Sequence, residues 1–380
     1  MSVIFSYKLI IKVLDQAKST ASHSWEYSTV FNALLEYQSS YLSIFNHPFP
    51  QGRIPTSGTD KCLALQYVKS FILTDGDKLC EGNGSSSDPS SLIIPAILLG
   101  NENTLTRHAK VYFPAAERQL QHLLTRTPRF SNTAISHRDG YPSLWADFVY
   151  MVPPVLAYYG VFKDDVTYLE MAVRQCELYY EVLGTQSGCW KHIVNGEGVD
   201  EDSDDVKVDE GLWSTSNGWA AAGMARVLAT VKKGRFGADL EVEQGRLVGM
   251  IKGIIDGAMG FDTDVSGLLR NRLDDETWFG EAAGTALLAA SVFRMAVMEP
   301  KVFGEVYTDW ALQKLLIVRK CVDEDMGIVA PVVNPTTDDQ WTPLDGVSPE
   351  AQAFVVLLYA AWKDFQDAND RYAAQYPLSL

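Results

Sequence analysis

The chain has 380 residues, 47% of them hydrophobic, enough to bury a large core as one big domain or two ordinary ones. A formal net charge of −16 argues against nucleic acid or an anionic membrane as a general partner, and an anionic ligand would need a local cationic patch. The five cysteines (Cys62, Cys80, Cys176, Cys189, Cys321) are scattered, with neither the spacing of a zinc site nor a disulfide framework, and there is no phosphate-cradling glycine loop, so no cofactor and no metal is expected.

Met1 to Ile11 has an apolar flavour but breaks at Lys8 and Lys12 and runs into Asp15 and Gln16 without a small-residue cleavage site. It reads as an amphipathic helix and not a secretion signal. No apolar run reaches membrane-spanning length, so the expectation is a soluble, cytoplasmic protein whose partner is a small-molecule substrate. Strand signals are scarce. Six apolar segments stand out: Tyr27 to Phe45, Ser91 to Gly100, Leu144 to Gly160, Thr215 to Val231, Thr277 to Ala296 and Glu350 to Phe365. They alternate with amphipathic ones at roughly Tyr7 to Ser19, Asp60 to Leu73, Pro114 to Thr125, Lys163 to Leu183, Glu241 to Asp256 and Val302 to Cys321, each pairing with an apolar segment in that order.

The apolar segments are rich in small residues, as in Ala220-Ala221-Ala222-Gly223 and Ala282-Ala283-Gly284, which permit close helix approach. A helix apolar on most faces is surrounded by other helices, so six such helices form an inner ring within an outer one. The rival arrangement is an open helical solenoid, whose inner helices usually keep a polar concave face. Polar or aromatic loops precede every inner helix: Ser24-Trp25-Glu26, Ser87-Asp88-Pro89, His137 to Asp147, Leu212 to Trp219, Asp274 to Trp278 and Asp345 to Glu350. In a double ring these starts share one mouth, where loops build sites and positive helix ends favour an anionic group.

The most informative stretch runs from His137 to Gly160. Asp147 is the only charged residue in its apolar part, with Ser143 as a candidate N-cap and Gly160 as the stop. That places Asp147 just past the first turn, where its carboxylate needs a partner or a cavity. A satisfied structural aspartate is the alternative. Pro153-Pro154 bend the run. The acidic segment Glu197 to Glu210 lacks the rhythm of a calcium loop and reads as a solvated surface loop. Around Asp147 gather His137 and Arg138 on the same loop, then Trp190 and His192, then Trp213, Asn217 and Trp219 at the fourth inner helix. Each has a plainer reading as a core or capping residue.

At Trp145-Ala146-Asp147 with Tyr150-Met151 and Pro154, at Gly188 to His192, at Asn217-Gly218-Trp219 and at Gly284-Thr285-Ala286, the sequence resembles the six-hairpin glycosidases. The likeness is to the unsaturated rhamnogalacturonyl hydrolases of glycoside hydrolase family 105 and their family 88 cousins, most of all to fungal members, from about Asp88 onward. It implies an all-α fold, an (α/α)6 barrel of six helical hairpins, over residues 1–380 as a single domain. It also implies hydration of the C4–C5 double bond of an unsaturated uronyl sugar, with Asp147 as general acid/base. Substrate contacts would come from Asp88, His137, Arg138, Trp145, Tyr150, Met151, Trp190, His192, Trp213, Asn217 and Trp219. The sequence departs from the family where an Arg usually precedes Gly-Asn-Gly-Trp, since Ser214-Thr215-Ser216 stand there. At the place of a second family aspartate it has Ser91 or Leu92, with Asp88 the nearest carboxylate. An aromatic cavity with one acid also suits a biosynthetic cyclase or isomerase on a non-sugar metabolite, or a non-catalytic binding barrel.

Overall fold

The computed structural model describes residues 4–56, 61–101, 109–203, 206–337 and 340–375. Met1 to Val3, Asp60 and the Asp204-Asp205 pair of the acidic run lie outside them. Going along the chain, outer helices alternate with inner ones. The outer set is α1 (Tyr7–Thr20), α3 (Leu63–Val68), α6 (Ala109–Thr125), α9 (Val166–Leu183), α11 (Glu241–Gly260) and α13 (Glu305–Lys320). The inner set is α2 (Ser24–Gln38), the broken pairs α4 (Ser87–Ser90) with α5 (Ile93–Gly100) and α7 (Phe148–Met151) with α8 (Pro153–Lys163), then α10 (Ser214–Lys233), α12 (Ala282–Met298) and α14 (Pro349–Gln375).

The inner helices touch in the order α2, α14, α12, α10, α8, α5, and α4 returns to α2, so the ring is closed and not an open solenoid. In space each inner helix packs mainly on the outer helix that follows it, and not on the one before it as the pairing of segments suggested. A short connection turns the chain straight back: between α8 and α9 only Asp164 and Asp165 intervene. The exception closes the circle, with α14 seated on α1. Four strands of two or three residues, β1 (Ser143–Trp145) with β2 (Ile193–Asn195) and β3 (Leu269–Arg270) with β4 (Gly280–Glu281), form antiparallel ribbons among the mouth loops.

Sequence chemistry accounts for both rings. Outer α1 buries Leu9, Ile10, Val13, Leu14 and Ala17, a helical stripe, and Ser6 caps it by accepting the Leu9 N–H at 3.2 Å. Inner α10 is buried without a break from Ser214 to Val231. Gly223 explains why small residues recur there: a Cβ on it would overlap the Val149 carbonyl oxygen at the top of the third hairpin. Gly223→Ala is therefore expected to cost about 1–3 kcal/mol of stability. Denaturant unfolding reads this as a lower midpoint at unchanged slope; an unmoved midpoint would mean that the two helices can part freely.

Several boundaries fall elsewhere than the sequence suggested. Ser143 does not cap a helix; it lies buried in β1, because pairing with β2 holds 143–145 extended. Asp147 therefore stands at the residue before α7 and not inside a turn. Pro153 and Pro154 occupy the first positions of α8, where a missing N–H costs nothing, so they start a helix instead of bending one. Gly160 does not stop α8, which continues to Lys163 and ends on left-handed Asp164; Gly160 is small because Leu169 of α9 crosses it. The first inner segment stops at Gln38, short of Phe45. The fifth starts only at Ala282, where Glu281 takes the N–H groups of Ala283 and Gly284, both at 2.6 Å.

At the end of the barrel where the inner helices finish, Glu36 is buried between two arginines. Its oxygens meet Arg226 Nη1 and Arg294 Nη2, each at 2.8 Å, while Arg226 Nη2 donates to Asn32 and Arg294 Nη1 pairs with Asp364. Among the described residues no helix is long and apolar enough to cross a membrane.

Candidate active site

A cavity of about 270 Å³ opens at the opposite mouth, at the small end of ligand pockets. It is built where the chain enters the inner helices. His23 and Trp25 come from the head of α2, Asp88 from α4, Asp147 from just before α7, Trp213 from just before α10 and Glu350 from the first turn of α14. Met151 and Trp219 line it from one turn deeper, and His137, Arg138, Trp145 and His192 from the loops between.

Asp147 keeps 14% of its side chain accessible, and its Oδ2 lies 3.3 Å from His192 Nε2. The β1–β2 ribbon creates this approach, since Trp145 pairs with Ile193 and brings both residues to one end of the strands. On the far side of the ring, His192 Nδ1 meets Asp209 Oδ2 at 2.7 Å, and the same oxygen accepts from Arg272 Nη1. Burial works to raise the Asp209 carboxyl, but the hydrogen bond and charge of His192 and the Arg272 guanidinium outweigh it and hold Asp209 below the usual range. An ionised Asp209 makes Nδ1 the donor, by inference from the network. Nε2 lies on the Asp147 side, at ion-pair distance from its carboxyl.

The rest of the wall carries contrasting charge. His137 stacks on Trp145, with ring centres 4.5 Å apart, and its Nδ1 meets the Ser87 hydroxyl at 2.8 Å. Burial, with Arg138 adding to it, holds its pKa well below the ordinary histidine value, so it is neutral near pH 7. Arg138 and Lys207 each place a cation 5.9 Å from the Trp145 ring, giving the mouth the cationic patch that an anionic ligand requires. Lys207 also donates to the Thr336 carbonyl at 3.4 Å, linking two rim loops. Asp88 is pushed up to about 6, chiefly by burial and further by the Asp147 charge, against hydrogen bonds from Ser87 and Ser85. Burial, with Asp147 and Glu26 adding to it, raises Glu350 well above the usual carboxylate range. Among the described residues no cluster of three His, Cys, Asp or Glu side chains is placed to hold a metal ion.

A raised carboxyl favours the proton-bound folded state. The stability it lends is complete below the unfolded value and is lost as pH climbs, for Asp88 between 3.8 and about 6. Asp88→Asn is accordingly expected to raise the melting temperature at pH 8 and leave it unchanged at pH 4, by scanning calorimetry. An equal loss at both values would show that the carboxyl is held by its hydrogen bonds alone.

Three of the residues singled out from sequence do not reach this cavity. Asn217 is fully buried and spends its amide on backbone, accepting the Trp190 N–H at 2.7 Å and donating to the Trp190 and Trp213 carbonyls. Trp190 is buried behind that clamp, against Tyr180. Tyr150 turns toward the barrel's other end, its ring 5.2 Å below the Arg226 guanidinium. The acidic segment is not wholly a solvated loop either, because Asp209 packs under His192. At the head of the second inner helix, Asp88 and not Ser91 or Leu92 enters the cavity. His23, Trp25, Lys207, Glu350 and Asp209 were missed as site residues. Trp25 and Glu350 could have been found, since both belong to loops that precede inner helices; Asp209 carries no local signal.

Solved structures share this architecture. A possible member of glycoside hydrolase family 105 from Salmonella enterica serovar Paratyphi A superposes with a TM-score of 0.72 at 16% identity, covering 97% of this chain and 96% of that one. An unsaturated glucuronyl hydrolase from Bacillus sp. GL1, responsible for glycosaminoglycan degradation, does so with 0.59 at 10% identity, covering 96% and 98%. At such identities the likeness concerns the fold. In sequence, the unsaturated rhamnogalacturonyl hydrolase YesR of Bacillus subtilis is 24% identical over 230 residues, 57% of this chain and 58% of that protein's length. The model of Glycosyl Hydrolase Family 88 matches residues 67–352, a span that takes in Asp88, Asp147, His192 and Glu350. With that match over most of its length, the chain belongs to Glycosyl Hydrolase Family 88.

Proposed function

We propose that the chain is a glycoside hydrolase acting on a small unsaturated uronyl glycoside, with Asp147 as general acid and then general base. Asp147 gives its proton to C4 of the C4–C5 double bond, and the positive charge that develops at C5 is shared with the ring oxygen. The resulting carboxylate takes a proton from water as the water oxygen bonds to C5. The product hemiketal opens and releases the remaining sugar. One carboxyl serves both steps, so an ordinary two-carboxylate scheme is not needed.

The observation that carries this reading is the contact between Asp147 and His192 on the cavity wall, backed by Asp209. His192, with Nε2 at 3.3 Å, is placed to stabilise the Asp147 carboxylate left after transfer. Arg138 and Lys207 over Trp145 suit the uronate carboxylate, and the partly exposed Trp25 and Trp145 offer faces for a sugar ring. Family membership and the relatives' activities support the same substrate class. The test is incubation with unsaturated galacturonyl-rhamnose and unsaturated glucuronyl disaccharides. The ultraviolet absorbance of the double bond should disappear as reducing sugar appears; absorbance that persists with both would overturn the proposal.

A further inference from the structure

Glu350 lines the cavity, and the hydration chemistry gives it no role. It sits in the first turn of α14, the sixth inner helix, across the ring from Asp147 at the head of the third. A buried carboxyl is costly unless it is satisfied. Two neighbours show what satisfaction looks like here. Glu26 accepts the Ser22 and His23 backbone N–H groups at 2.6 and 2.9 Å, and Glu281 accepts two backbone N–H groups with the Ser214 and Thr215 hydroxyls. Glu350 is treated differently. Among the described residues Trp25 is its hydrogen-bond donor, through Nε1 to Oε2 at 3.1 Å, and no cation pairs with it. The largest charge effects on it come from Asp147, Glu26 and Glu281, all acids; His23, stacked on Trp25, pairs with Glu26, and Arg138 and Lys207 gather on Trp145.

We propose that Glu350 is a specificity-determining residue whose carboxylic acid group donates a hydrogen bond to an uncharged oxygen of the bound sugar, orienting the ring against Asp147. The inference rests on the sugar-binding reading given above. Trp25 holds Oε2, which leaves the other oxygen of this cavity-lining side chain to carry the O–H toward the sugar in the proposed complex. Burial, then the surrounding acids, favour its protonated form. The pocket is therefore polarised: the uronate carboxylate docks at the Trp145 side, under Arg138 and Lys207, and the hydroxyl-bearing edge of the ring turns to Glu350. A ligand that reversed this orientation would set its carboxylate beside Glu350 and away from Arg138 and Lys207.

Glu350→Gln keeps an uncharged donor of the same length, and Glu350→Ala removes it. With an unsaturated uronyl disaccharide, Glu350→Gln is expected to retain kcat/KM within about threefold, and Glu350→Ala to raise KM by about tenfold with a smaller fall in kcat. Wild-type affinity should weaken as pH rises through the Glu350 ionisation, and Glu350→Gln should abolish that limb. Equal damage in both variants, with melting temperatures unchanged, would mean that the ionised form is needed and would overturn the proposal, as would a Glu350→Ala enzyme with wild-type KM. If the wild type turns over no unsaturated uronide, the functional reading fails by itself. Calorimetric binding of the same disaccharide to Asp147→Asn, with and without Glu350→Ala, then decides the role of Glu350: an about tenfold weaker affinity supports it, equal affinity or no binding overturns it.

Discussion

Asp147→Asn is expected to lower kcat on an unsaturated uronyl disaccharide by about a hundred- to ten-thousandfold while substrate affinity changes little. The amide has the shape of the carboxyl and still reaches His192, so the cavity and its contacts persist. It has no acidic proton to give to carbon, however, and no basic oxygen strong enough to activate water. Both halves of the reaction therefore lose the same group. Single-turnover kinetics separates this from a binding defect, and calorimetry supplies the affinity. An Asn variant that kept a tenth or more of wild-type turnover, about 1.4 kcal/mol or less of barrier, would remove Asp147 from the chemistry.

The largest effect on stability is expected at the other end of the barrel. Glu36→Ala leaves Arg226 and Arg294 buried with their shared carboxylate gone, though Asn32 and Asp364 still hold one arm of each. Breaking a buried ion pair in this way costs about 3–5 kcal/mol, a large share of the roughly 5–15 kcal/mol that holds a protein folded. Guanidinium unfolding measures it directly. The knot joins α2, α10 and α12 near their C-terminal ends, and the cavity lies at their N-terminal ends, so KM should not move in the protein that remains folded. A loss under about 1 kcal/mol would place these charges among ordinary surface pairs.

The double ring could be read from sequence because its signal is repetitive. Runs such as Ala282 to Ala296, apolar on every face, have no soluble arrangement except among other helices, and Gly223 shows the close contact that small residues allow. The loops preceding inner helices marked the mouth for the same reason. Finer features depended on contacts distant in sequence. Ser143 resembles a cap until β2 pairs with its strand, and Asn217 resembles a site residue until its amide is seen clamping Trp190. Asp209 lies in a run of acids that composition assigns to solvent, yet His192 and Arg272 draw it inward. The place of Glu350 ahead of an apolar helix points to the mouth, but its position across the ring from Asp147 depends on closure of the circle.

The seating of α14 on α1 and between α2 and α12 has a consequence for synthesis. Gln352 donates to the Val13 carbonyl across 339 positions of sequence, so the circle cannot shut until nearly the whole chain has left the ribosome. Until then the nascent protein carries an open arc whose two end helices show greasy flanks to water, the kind of surface that chaperones hold. A ring joined this way should also tolerate being opened elsewhere: a permuted gene that starts at α4 would keep every hairpin intact and exchange one late closure for another.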